Sequence, residues 1–111
     1  MNIARDFIDW KATGYRLQRL RDDNETLRRF VCGALYMDSD KCRSGKGDCA
    51  NCRESEMDRE ISRSELAEVF GVTESVIFNW ETGRTPLPVE ELLFYCKITG
   101  VRLEDILVIQ R

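Results

Sequence analysis

The chain of 111 residues contains no histidine, and it has no long apolar run. Histidine is the side chain most often used as a general base, so its absence argues against hydrolytic and nucleophilic enzymes. A membrane-spanning helix needs about 18 to 20 consecutive apolar residues, and no stretch of this sequence approaches that length. We therefore predict a protein that is not an enzyme, does not enter a membrane and has no evident small-molecule substrate.

The chain also lacks an excess of basic residues, since its formal net charge is −3. Nucleic-acid-binding proteins usually have a basic surface, so the overall charge does not favour that class. The distribution is uneven: residues 11–29 are mainly basic, whereas acids outnumber bases from residue 61 onward. If DNA is bound, residues 11–29 must supply much of the attraction to phosphates. The alternative is that their arginines form a solvated helix face.

The N-terminal residues, MNIARDFIDWK, include acids and no uninterrupted apolar segment, which argues against a secretory signal. We therefore expect a cytoplasmic protein forming one domain over residues 1–111. Because the cytoplasm is reducing, the five cysteines are expected to be thiols or metal ligands rather than disulfides.

Residues 61–84 predict two short helices joined by a tight turn. Ser62 and Glu65 fit a capping box, in which each side chain satisfies a free backbone donor at a helix start. Gly71 is placed to end the first helix, because glycine adopts the left-handed conformation at little cost. Thr73 is placed to cap the second helix. This is the helix-turn-helix arrangement that places a recognition helix in the DNA major groove.

The run SELAEVFGVTESVIFNWETGR, residues 64–84, resembles the Cro and lambda-repressor type helix-turn-helix of the XRE family. The resemblance extends over roughly residues 61–111 and, less clearly, to a first helix near residues 15–21. It implies an all-α bundle of about five helices that acts as a DNA-binding transcriptional regulator, commonly a repressor or autoregulator. We expect a homodimer on a palindromic operator, because one recognition helix contacts only a few base pairs.

The resemblance also implies which residues contact double-stranded DNA from the recognition helix, residues 73–82. Asparagine pairs with adenine, glutamate accepts a hydrogen bond from cytosine, and serine contacts several bases. An apolar side chain can contact a thymine methyl group. Basic or hydroxyl residues at the edges of the unit are expected near phosphates. The predicted set is Arg63, Glu74, Ser75, Val76, Phe78, Asn79, Arg84 and Thr85.

Two of these residues have alternative interpretations. Glu74 can simply stabilise the positive end of its helix. Phe78, an aromatic residue at an outward position, equally fits a protein-binding surface. The alternative function is therefore a protein-interaction module on a helix-turn-helix scaffold, with the acidic C-terminal half and an apolar helix at residues 27–37 contributing to the surface.

The apolar spacing over residues 15–37 predicts either one long helix or two helices separated at residues 22–24. Residues 2–11 fit a short helix that ends at residues 12–14. A further helix is expected from residue 87 to Gly100, followed by a last short helix or strand. Val108, Ile109 and Gln110 are expected near a dimer contact.

Residues 38–58 form a cysteine-rich insert, expected between the first and second helices. Thiolates favour zinc or iron-sulfur centres, and structural zinc takes four ligands. Without histidine, those ligands are four cysteines, or three with a carboxylate such as Asp38, Asp40 or Asp48. We predict that structural zinc stiffens the insert. The alternatives are an iron-sulfur or redox-sensing centre, a thiol-disulfide enzyme, and unligated thiols. The predicted zinc ligands are Cys32, Cys42, Cys49 and Cys52.

Overall fold

The computed structural model describes residues 7–36 and 61–109. Within these two ranges the secondary structure is helical, except for one isolated β-bridge near the ends. This confirms the predicted all-α class, with six helices rather than about five in the described part. The helices are α1 (Trp10–Asp23), α2 (Glu25–Tyr36), α3 (Arg63–Phe70), α4 (Glu74–Thr82), α5 (Val89–Thr99) and α6 (Leu103–Ile106).

Helix α1 begins at Trp10 and continues through Gly14, so the predicted helix end at residues 12–14 is wrong. Asp9 caps the helix by accepting a hydrogen bond from the Ala12 amide at 3.0 Å. A Cβ atom on Gly14 would lie 2.4 Å from the carbonyl oxygen of Trp80. The glycine therefore lets α1 approach the backbone of α4, and this packing outweighs the low helix propensity of glycine.

Asn24 separates α1 from α2, which decides between the two predictions for this region. Its backbone N–H donates to the Leu20 carbonyl at 2.9 Å, ending α1. Its side-chain oxygen accepts from the Leu27 amide at 2.8 Å, capping the start of α2. Because of this division, the cysteine-rich insert connects α2 to α3; the insert itself lies outside the described residues.

The helix-turn-helix, α3 and α4, has the predicted capping box and glycine turn, but it lacks the predicted side-chain cap at Thr73. Ser62 Oγ accepts from the Glu65 amide at 3.0 Å, and the Ser62 amide donates to the Glu65 carboxylate at 3.1 Å. Gly71 has a φ of 71° in the turn, where a residue with a side chain would be strained. Thr73 occupies the N-cap position of α4 but forms no side-chain capping hydrogen bond.

The core lies where the helices converge, and it contains Ile77 and Trp80 of α4. The Phe70 ring packs against three other aromatic rings at centroid distances of 5.1 to 5.7 Å. These contacts join the turn of the helix-turn-helix to α5. The buried apolar residues are Leu17, Leu27, Val31, Ile61, Leu66, Ala67, Ile77, Trp80, Leu87, Leu92, Tyr95 and Ile106.

The C-terminal residues pair with the start of the chain. Val108 accepts a hydrogen bond from the Asp9 amide at 2.7 Å and donates to the Thr13 hydroxyl at 2.9 Å. Ile109 forms an antiparallel bridge with Ile8. These backbone groups are thus satisfied within one chain, although half of the Ile109 side chain is exposed. The dimer contact predicted at Val108, Ile109 and Gln110 is untested, and Gln110 lies outside the described residues. None of the described helices has the length and apolar character needed to cross a membrane.

Candidate nucleic-acid interface

Helix α4 presents a polar N-terminal turn to the outside. Glu74 and Ser75 are exposed, whereas Ile77 and Trp80 on the opposite face are buried in the core. Val76 is partly buried and packs against the core. The structure therefore places Glu74 and Ser75 where a ligand can reach them and leaves Val76 less accessible.

The outer face of α4 continues into a shallow depression formed together with the start of α3. Arg63, Glu74, Ser75 and Phe78 line this depression, which has a volume of about 300 Å³. Four of the predicted contact residues are thus brought together, although Arg63 comes from a different helix. The mixture of a cation, a carboxylate, a hydroxyl and an aromatic ring is suited to polar ligands with flat groups.

The aromatic ring of Phe78 is flanked by arginine side chains. The guanidinium carbon of Arg63 lies 5.1 Å from the ring centroid, and that of Arg84 lies 5.4 Å from it. Both distances are within the range of about 6 Å for attraction between a cation and an aromatic ring. Phe78 therefore links the cationic residues at the two ends of the helix-turn-helix.

The residues after α4 are held by its last turn. The amides of Arg84 and Thr85 donate to the Asn79 carbonyl at 2.9 and 3.4 Å, and Gly83 takes a φ of 78°. Arg84 and Thr85 are exposed, whereas Asn79 is partly buried. The side chains predicted to contact phosphates therefore begin from a fixed backbone close to the recognition helix.

A buried ion network lies directly behind the interface. The carboxylate of Glu81 is buried and accepts hydrogen bonds from Arg21 at 2.8 and 3.1 Å and from Arg63 at 2.9 Å. Arg21 also donates to the Ile61 carbonyl at 2.8 Å. Burial is the largest influence on Arg21 and would lower its pKa, but the hydrogen bond and charge of Glu81 leave the pKa raised. The network fixes α1, α3 and α4 relative to one another.

This role of Glu81 was not predicted from the sequence. A signal was present, because Glu81 follows Ile77 by four residues and therefore shares the inward helix face. A buried carboxylate needs cationic partners. Arg21 follows the buried Leu17 by four residues and therefore lies on the inward face of α1.

Three basic residues of α1 and α2, Arg16, Arg19 and Arg29, have partners within the chain. This finding favours the solvated-face interpretation over a dominant role in attracting phosphates. Exposed ion pairs are weak, so these arginines still contribute positive charge at long range. The contacts are Arg16 with the Asp105 carbonyl at 2.8 Å, Arg19 with Asp23 at 2.7 Å, and Arg29 with Glu25 at 2.5 Å.

Of the predicted zinc ligands, Cys42, Cys49 and Cys52 lie outside the described residues. Cys32 is on α2 and is partly buried. Within residues 7–36 and 61–109 there is no cluster of three or more residues suited to metal binding. Cys96 packs partly against the core, and burial raises the pKa of its thiol.

A family model described as helix-turn-helix matches residues 52–106. The match includes α3 and α4 and continues into α6, so it covers the same part of the chain as the interface residues. It confirms the XRE-type resemblance that the sequence motif suggested. No curated protein and no solved structure matches the chain.

Proposed function

Because the chain belongs to the XRE family of helix-turn-helix proteins, we propose that it is a sequence-specific transcriptional regulator whose helix α4 reads the DNA major groove. One observation carries the proposal: the N-terminal turn of α4 is polar and exposed, while its other face is locked into the core. A recognition helix needs this combination, since base contacts require a fixed helix position.

Three side chains of α4 are proposed to read bases. The amide of Asn79 can pair bidentately with adenine, and the carboxylate of Glu74 can accept from the cytosine amino group. Ser75 lies beside Glu74 in the exposed first turn and contacts either class of base. A negative residue at this point also repels phosphates, so Glu74 contributes specificity rather than general affinity.

The cationic residues around α4 are proposed to contact the DNA backbone. Arg63 is the first residue of α3 and Arg84 follows the end of α4, so the two arginines flank the helix-turn-helix along the chain. Phosphate contacts fix the register of a protein on DNA without reading its sequence. Thr85, exposed beside Arg84, is proposed to donate a hydrogen bond to a phosphate.

We propose a homodimer and a role as repressor or autoregulator, as is common for small proteins of this family. A palindromic DNA site would then match the two-fold axis of the protein. A native mass of two chains, with one dimer bound per duplex, supports this arrangement. A monomer that binds a single half-site contradicts it.

Zinc bound by Cys32, Cys42, Cys49 and Cys52 is a separate proposal, supported by the spacing of the cysteines and by the position of Cys32 on α2. Metal analysis of protein purified without chelator should find about one zinc per chain. Removing the metal should lower the melting temperature, and Cys49→Ser should reduce zinc content while Cys96→Ser does not. Absence of metal, or iron with sulfide, contradicts the proposal.

The proposed function is tested by selecting bound duplexes from a random pool and measuring variants on the selected site. Asn79→Ala should lose about 1 to 3 kcal/mol of binding free energy on that site, and base-pair substitutions should locate the loss at one position. Lys97→Ala, an exposed change on α5, should bind like the wild type. Failure to enrich any sequence, with an acidic or apolar protein partner bound instead, favours the interaction-module alternative.

A further inference from the structure

The Phe78 ring contacts two cationic side chains at the protein surface. It is only partly buried, and the guanidinium groups of Arg63 and Arg84 lie over the ring at 5.1 and 5.4 Å. These arginines are 21 positions apart in the sequence, at the two ends of the helix-turn-helix. The ring therefore contacts both guanidinium groups, which come from distant parts of the sequence.

Arg63 is fixed at two points. Its Nε atom donates to the buried carboxylate of Glu81 at 2.9 Å, while its guanidinium plane meets the Phe78 ring. Among the described residues, the structure shows no hydrogen-bond acceptor for the two terminal nitrogens of Arg63. About a third of the side chain is exposed, at 30%. Within residues 7–36 and 61–109, these nitrogens are thus held near the surface without an acceptor, in a position to reach an anion.

Arg84 has less support. It is exposed, and among the described residues its side chain contacts the Phe78 ring. An arginine side chain loses rotamer freedom when it binds a ligand, and a contact that already limits this freedom improves affinity. Cation–π contacts at exposed sites change an equilibrium constant by about two- to fivefold each. The ring thus reduces the entropy that Arg84 would lose on binding a phosphate.

We propose that Phe78 is a positioning residue that holds Arg63 and Arg84 as a paired phosphate clamp beside the recognition helix. This inference rests on the proposed function, because the phosphates are those of DNA. It assigns Phe78 a role different from the thymine contact and the protein-binding surface predicted from the sequence. Phe78 acts through the arginines and therefore increases affinity for DNA of any sequence.

The direct test uses a mixed-sequence duplex of about three helical turns and measures its dissociation constant over a series of salt concentrations. Phe78→Leu should weaken binding by about three- to tenfold. It should also reduce the slope of log affinity against log salt, by about 0.9 for each phosphate that the variant no longer neutralises. Phe78→Trp, which keeps an aromatic face, should restore both. Arg102→Ala, which removes an exposed charge at the start of α6, should leave the slope close to that of the wild type.

A double-mutant comparison separates positioning from simple packing. If Phe78 acts through Arg84, Phe78→Leu should cost less affinity in an Arg84→Ala background than in the wild type. Equal fold losses in the two backgrounds, or an unchanged salt slope, overturn the proposal. If Phe78→Leu fails to fold, Phe78→Trp takes its place in the comparison. The proposal then requires that Phe78→Trp binds DNA as tightly as the wild type, and that Arg84→Ala causes the same fold loss of affinity in both proteins.

A duplex in which deoxyuridine replaces thymidine distinguishes the clamp from direct base reading. The clamp predicts the same fold loss for Phe78→Leu on both duplexes, since the phosphates are unchanged. If the loss disappears on the deoxyuridine duplex, Phe78 reads the methyl group and the clamp is wrong. If the wild type binds no duplex even at low salt, the proposed function fails as well; if it binds and Phe78→Leu binds equally, only the clamp fails.

Discussion

The packing of α1 against α4 depends on the absence of a Cβ atom at Gly14. A Cβ atom there would lie 2.4 Å from the Trp80 carbonyl oxygen and 2.6 Å from that of Glu81. Both neighbours are backbone atoms, which cannot rotate away as a side chain can. The close approach of α1 to the end of α4 therefore depends on glycine at this position.

We predict that Gly14→Ala lowers the free energy of unfolding by at least about 1 to 3 kcal/mol, because α1 must move away from α4. Chemical denaturation measures this loss. Gly71→Ala is the comparison, since Gly71 has a positive φ but open space around its Cβ position. That change should cost about 1 to 2 kcal/mol from backbone strain alone, and Gly71→Asn should cost less. Equal stability of Gly14→Ala and the wild type would contradict the packing described.

Tyr95 gives the protein a pH-dependent stability in the alkaline range. Burial is the main cause that raises the pKa of its phenol, and the negative charge of Glu81 raises it further. In the unfolded chain the phenol ionises near its ordinary pKa of about 10. The contribution of Tyr95 to stability is therefore complete below pH 10 and decreases as the pH rises above that value.

Tyr95→Phe should remove this dependence. The Tyr95 hydroxyl has no hydrogen-bond partner among the described residues, so at pH 7 the variant should lie within about 1 kcal/mol of the wild type. Between pH 10 and 11 the wild type should lose about 1 kcal/mol more than the variant. Denaturant titrations of both proteins at each pH measure the difference. Parallel pH profiles would contradict this, because they would show that the Tyr95 phenol ionises as readily in the folded protein as in the unfolded chain.

At the scale of elements, Asn24 terminates one helix and begins the next. Its amide donates to α1 and its side chain accepts from the first turn of α2. We predict that Asn24→Ala costs about 0.5 to 2 kcal/mol, because the Leu27 amide loses its acceptor. Asn24→Asp keeps an acceptor and should cost much less. The two melting temperatures, compared with that of the wild type, give the result, and equal losses would argue against capping.

Much of the element structure could be predicted from local signals. The capping box at Ser62 and the left-handed turn at Gly71 depend on neighbouring residues, so the sequence was sufficient to predict α3 and the turn. The start of α1 could not be predicted in this way. Gly14 is a local helix breaker, and its tolerance in α1 depends on Trp80, which is distant in the sequence. Asn24 left two interpretations open because an inward polar residue also occurs in heptad repeats.

At the scale of the whole molecule, the Glu81 network joins three helices behind the outer face of α4. Three predicted contact residues of α4 lie beside Arg63, but the buried carboxylate that links Arg63 to Arg21 was not predicted. Local helix patterns do not report which residues from separate helices meet. The position of the recognition helix therefore depends on an ion network that only the three-dimensional structure reveals.

We predict that Glu81→Gln lowers the free energy of unfolding by about 3 to 5 kcal/mol, because Arg21 then has no buried countercharge. Glu104→Gln provides a control with the same chemical change at an exposed ion pair, and it should cost less than about 1 kcal/mol. Denaturation of the two variants under identical conditions measures the contrast. Similar small losses would mean that the network does not hold the helices together.

One binding measurement decides whether α4 reads DNA sequence. The wild-type protein is titrated, at about 0.15 M salt, against the duplex enriched by selection and against a scrambled duplex of the same composition. Fluorescence anisotropy reports both dissociation constants. Sequence-specific recognition predicts that the selected duplex binds at least about 10³ times more tightly. Equal affinity for the two duplexes, or binding to neither, would contradict sequence reading by α4.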